Sequence, residues 1–183
     1  MATLYYQSYR WNHGALHFFS AGRCEMADET LEFALLAWRD DGRWITSQLP
    51  DDATSDIGVV LDALRAQQVD GGAIAMLSID DQFFIIIRQI GSKMQMVLSD
   101  VMTALDYEIA AEVLELSDID FPEEDDADEP AGDLNIFSDL GLDAMELQMI
   151  CDDDDEMYPE EQLEAIARRI GCGDAFVELM EKL

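Results

Sequence analysis

The run Phe83-Phe84-Ile85-Ile86-Ile87 limits what this chain can fold into more than any other feature. Five consecutive aromatic and β-branched residues fit an extended strand. Successive side chains of a strand point to opposite faces, so both faces are apolar here. A strand with one wet face would alternate with polar residues. This one belongs in the middle of a sheet that is covered on both sides.

Strand and helix signals surround it. Leu31–Arg39 and Arg43–Leu49 are strand-like runs separated by Asp40-Asp41-Gly42, and an Asp-Gly between two such runs is a strong hairpin signal. Pro50 ends the pair. Asp56 can cap a helix to about Gln68 with Ile57, Val60, Leu61 and Leu64 on one face, and Gly71-Gly72 breaks it. Three more strands, Ala73–Ile79, Gln82–Ile90 and Lys93–Leu98, are joined at Asp80-Asp81 and Gly91-Ser92. Ser99 or Asp100 opens a helix to about Leu116. The order is ββαβββα, an α+β arrangement with a mixed or antiparallel sheet, because short loops impose antiparallel pairing and helices cover the sheet. Roadblock-like domains share this order.

Charge divides the rest. The chain carries a formal net charge of −31, unevenly spread: residues 31–114 hold five basic and fourteen acidic groups, residues 115–183 three basic and twenty-four acidic. Residues 115–133 place ten carboxylates in nineteen positions, with Pro122, Pro130 and Gly132, and read as an acidic flexible linker. Residues 134–183 read as a small subdomain of short helices. Asp133 opens one over Leu134–Leu140, and Asp143 with Glu146 has capping-box spacing for another ending near Cys151. Pro159 starts a third that stops at Gly171, and Asp174 caps a last one.

Residues 1–30 differ from all this. The first 25 hold both histidines, six aromatics and only one carboxylate, Glu25. Met26-Ala27-Asp28-Glu29-Thr30 resembles an ordinary acidic start. The expectation is an atypical extension with Met26 as the initiator, an aromatic docking arm being the alternative. No signal peptide is recognisable, no apolar run reaches 18 residues, and the three cysteines, Cys24, Cys151 and Cys172, have no paired spacing. A cytoplasmic protein with reduced thiols and no membrane contact is expected.

Catalytic and metal patterns are hard to find. Zinc-dependent deamination of nucleobases needs H-x-E and P-C-x-x-C, and neither occurs. His13 and His17 stand four apart with Cys24 further on, but Gly14 weakens a helix there and no fourth ligand follows. A calcium loop begun at Asp152 would put Met157 where glycine is needed and Leu163 where glutamate is needed; one begun at Asp153 would put Tyr158 at the glycine position. Cys172 has no adjacent cation to activate it, and no phosphate-cradling glycine pattern exists. Met94 with Met96 and Met145 with Met149 each share a face, where core packing is the ordinary role. No catalytic residue, metal ligand or cofactor site is assigned.

From Leu31 to Leu183 the sequence resembles the actinobacterial family of tRNA adenosine deaminase-associated proteins. The resemblance rests on Leu36-Ala37-Trp38-Arg39-Asp40-Asp41-Gly42-Arg43-Trp44, Asp80-Asp81-Gln82-Phe83-Phe84, Leu98-Ser99-Asp100, the acidic segment, Asp139-Leu140-Gly141-Leu142 and the tail from Ala165 to Asp174. It implies partnership with the tRNA-editing enzyme. The expected function is therefore a non-catalytic acidic accessory that binds a basic protein. A field of −31 repels phosphate backbones, so direct nucleic-acid binding is not expected. A nucleic-acid-mimicking inhibitor and a metal-dependent enzyme built on carboxylates are the alternatives. The sequence is silent on oligomeric state.

Overall fold

The computed structural model describes residues 32–67, 69, 71–153 and 157–183. The expectations for the N-terminal extension, for Met26 and for His13, His17 and Cys24 lie outside the described residues, as do Leu31 and the end of the carboxylate run at 154–156.

Among the described residues, six strands form one sheet: β1 (Phe33–Asp40), β2 (Arg43–Gln48), β3 (Ala73–Ile79), β4 (Phe83–Ile90), β5 (Lys93–Leu98) and β6 (Ala131–Gly132). Their order is β2-β1-β3-β4-β5-β6, and every neighbouring pair is antiparallel. The fold is α+β. The β1–β2 hairpin turns on Asp41 (φ 46°) and Gly42 (φ 78°), the two consecutive left-handed residues that a tight hairpin of the right twist needs. Helix α1 (Ile57–Ala66) then carries the chain past β1 to β3. Asp56 caps it by accepting from Gly58 N–H at 2.8 Å, and its buried residues are the expected Ile57, Val60, Leu61 and Leu64.

Strand parity sorts the side chains into two cores. Leu36, Ala75, Leu77, Phe83, Ile85, Ile87 and Leu98 meet α1 and α2 (Glu108–Leu116). Phe33, Leu35, Ile74, Met76, Phe84, Ile86 and Val97 meet the C-terminal helices α3 (Ala144–Cys151), α4 (Pro159–Ile170) and α5 (Gly173–Met180), largely through Leu147, Leu163, Ile166 and Phe176. The sheet is thus the middle of three layers. All five residues of Phe83–Ile87 are 0% exposed, as a strand that is apolar on both faces requires.

Several local expectations are corrected. The helix expected from Ser99 or Asp100 to Leu116 is split: Asp100 caps a 3₁₀ turn over Val101–Leu105, and α2 starts only at Glu108. Tyr107 is extended between them and sets its ring edge-on to Phe83, 4.9 Å between centroids, so packing wins over helical continuity. Asp133 caps no α-helix. Its Oδ1 accepts from Asn135 N–H, and a 3₁₀ turn over Ser138–Leu140 ends at left-handed Gly141. α5 starts at Gly173, so Asp174 lies in its first turn.

Within residues 115–133, expected as a linker, the first two close α2 and the last three lie against β5. Val101 N–H donates to Glu129 O and Asp133 N–H to Met96 O, at 2.9 and 2.8 Å. β6, absent from the expected strands, pairs Val97 with Gly132 and Leu98 with Ala131. Gly132 has φ +107°, and a Cβ there would collide with the Met96 carbonyl, so only glycine lets the strands come this close. No helix among the described residues is long and apolar enough to cross a membrane.

Candidate protein-binding surface

One buried charge holds the C-terminal layer to the sheet. Arg88 on β4 is 2% exposed, and its guanidinium donates to Ile136 O and to both carboxylate oxygens of Asp139. The bidentate pair and the Phe137 ring beneath the guanidinium fix the turn that leads into α3. Sequence reasoning missed this residue. The signal was a cation directly after five apolar strand residues, where an unpaired charge would be costly.

α3 is then placed by its own side chains. Asp143 Oδ1 accepts from Glu146 N–H at 3.0 Å, which is half of the expected capping box. Glu146 does not reach back to complete it; its carboxylate takes two hydrogen bonds from Arg169 of α4. Leu147 and Cys151 face the core. Met145 and Met149, expected in the core, are instead 76% and 67% exposed. The helix carries more apolar residues than one inward stripe can hold, and Leu147 with Cys151 occupies that stripe. Met94 and Met96, by contrast, belong to the first core.

A cleft of about 320 Å³ opens at the C-terminal end of α3. Asp100, Asp128, Glu129 and Asp152 line it, and no basic side chain among the described residues does. Five elements build its walls: the β3–β4 turn at Gln82, the β5–α2 connection, the acidic segment, α3 and α4. Gln162, 2% exposed, stiffens the floor by donating from Nε2 to Ile150 O and Cys151 O at 2.7 and 3.3 Å, which fastens the last turn of α3 to α4. Two larger grooves, about 570 and 560 Å³, flank α2; Leu116 lines one and Phe121 the other, and both are exposed.

The thiols are not activated. Burial pushes Cys151 and Cys172 up to about 12, which keeps both protonated. Gly72 (φ +77°) and Gly171 (φ +88°) occupy left-handed positions, and Gly171 ends α4. Among the described residues, no three His, Cys, Asp or Glu side chains are placed to share a metal ion. What the surface offers chemically is an exposed thioether pair on a fixed helix, continuous with an acidic recess.

Comparisons with known proteins agree on the family. No solved structure matches the chain. Protein Rv3753c of Mycobacterium tuberculosis (strain ATCC 25618 / H37Rv) is 38% identical over 160 residues, covering 86% of this chain and 92% of that protein. The family model described as Rv3753c-like tRNA adenosine deaminase-associated protein matches residues 32–173, which span every strand, α1 to α4 and the cleft. The chain therefore belongs to the Rv3753c-like tRNA adenosine deaminase-associated protein family.

Proposed function

We propose that this protein is a non-catalytic accessory that binds another protein, and that the partner is a tRNA adenosine deaminase. The observation that carries the reading is the exposed Met145–Met149 pair beside an acidic cleft: apolar surface left exposed among the described residues, on a helix held by the core. The family description, deaminase-associated, supports that choice of partner. A protein that handles tRNA presents cationic surface, and a chain of net charge −31 is drawn to it. Such a partnership operates in the cytoplasm, where the two buried thiols stay reduced.

Co-purification of the full chain with the deaminase, at two salt concentrations, tests this. The complex is expected at low salt and weakened at high salt. Failure to associate at low salt refutes the reading. Displacement of the chain by tRNA would turn it towards a nucleic-acid mimic.

A further inference from the structure

α3 and the cleft at its end are one continuous surface, because Asp152 belongs to both. It caps α3 with helical backbone angles (φ −73°, ψ −5°), stands three residues after Met149 and seven after Met145, and lines the cleft. Residues at those spacings share one side of a helix. The surface thus joins two chemistries in a fixed order. Two long unbranched thioethers adapt to whatever apolar shape is laid on them. Beyond them, Asp128, Glu129 and Asp152 concentrate negative charge in a recess.

The protein's own nearby cations are engaged elsewhere: Arg88 with Asp139, Arg169 with Glu146, and Arg168 with Glu164. Among the described residues no basic side chain lines the cleft, so a partner's cation can complete it. We infer that this surface docks an amphipathic basic segment of the partner protein, its apolar residues lying on Met145 and Met149 and a Lys or Arg side chain entering the acidic cleft. The inference rests on the accessory-protein reading and gives it a location. Seven residues of helix span about 10 Å, so a partner helix of two to three turns covers the surface. Arginine suits the recess best, since its planar guanidinium can bridge two carboxylates.

The test uses the full chain with ¹³C-labelled methionine methyl groups and two probes: the purified deaminase, and a synthetic amphipathic Leu/Lys helix. Either probe is expected to shift the Met145 and Met149 methyls while leaving buried Met76 and Met96 in place. Met145→Ser/Met149→Ser is expected to weaken deaminase binding at least tenfold. Asp128→Asn/Asp152→Asn should weaken it about fivefold and flatten its salt dependence. Leu116→Ser/Phe121→Ser, in the grooves beside α2, should leave it unchanged. Wild-type affinity in the methionine double variant overturns the surface while the accessory reading stands. If the deaminase does not bind the wild-type chain, only the accessory reading fails, and the synthetic helix decides: unmoved Met145 and Met149 methyls overturn the surface. Concentration-dependent shifts of these methyls without a probe would mean that a second copy of the chain occupies it, which also overturns the inference.

Discussion

Removing the carboxylate of Asp139 should uncouple the C-terminal layer from the sheet. Arg88 Nη1 donates to Ile136 O and Asp139 Oδ1, both at 2.5 Å, and Nη2 to Asp139 Oδ2 at 2.8 Å. Asp139→Ala deletes two of these three hydrogen bonds and leaves the charge beneath the helices. Breaking a fully buried pair in this way costs about 3–5 kcal/mol. The Asp139 side chain is 59% exposed, however, so water can reach the outer edge of the guanidinium, and the expected cost falls to about 2 kcal/mol. Arg88→Met removes the charge itself and keeps most of the volume, so it should cost less, about 1 kcal/mol. Adding Asp139→Ala to Arg88→Met should change little further. Urea unfolding at pH 7 measures all three, and a 2 kcal/mol loss corresponds to roughly 4–8 °C in Tm at this size. Acid gives an independent check. The hydrogen bonds from Arg88 hold the Asp139 carboxyl below its ordinary 3.8. Above 3.8 the unfolded carboxyl is ionised and the pair contributes fully; that contribution is lost as pH falls through the lower native value. Wild type and Asp139→Ala should therefore converge in acid. An Asp139→Ala protein within about 0.5 kcal/mol of wild type at pH 7, or an Arg88→Met protein less stable than it, would refute the argument.

Gly132→Ala should detach β6, costing about 2 kcal/mol, because the new Cβ meets the Met96 carbonyl at a left-handed position. Hydrogen exchange at Asp133 N–H, which donates to Met96 O, would rise; unchanged protection would contradict the close approach. Cys151 and Cys172 should resist iodoacetamide at pH 8 until urea unfolds the chain, as peptide mass mapping can show; rapid native labelling of either would contradict thiols raised to about 12 by burial. Met145→Ser/Met149→Ser should leave stability within about 0.5 kcal/mol of wild type, since both side chains are exposed; a larger loss in urea would mean that they support the fold.

The strands and first helix were legible because their patterns have one solution. Ile57, Val60, Leu61 and Leu64 repeat at the helical period and nothing competes with them, and Phe83–Ile87 is apolar at both parities, which demands a cover on each face. The candidate surface was harder to read for the opposite reason. α3 presents Met145, Leu147, Met149, Ile150 and Cys151, and periodicity does not say which apolar stripe turns inward. That choice is made at a distance, by Arg169 on Glu146, by Gln162 on the end of the helix and by Arg88 on the turn before it. The break at Tyr107 depends on an aromatic contact with a strand more than twenty residues away. β6 is two residues long beside Pro130, too short for alternation to show.

A sheet clad on both sides has a consequence for how this protein can change. Its central strands β3 and β4 offer no face to a visitor, so they serve as a chassis and recognition is left to helix exteriors, connecting loops and the exposed outer strand β2. Damage within the strands will lower abundance for every activity alike, whereas replacement of outward-pointing side chains can retune the choice of companion and leave the framework standing.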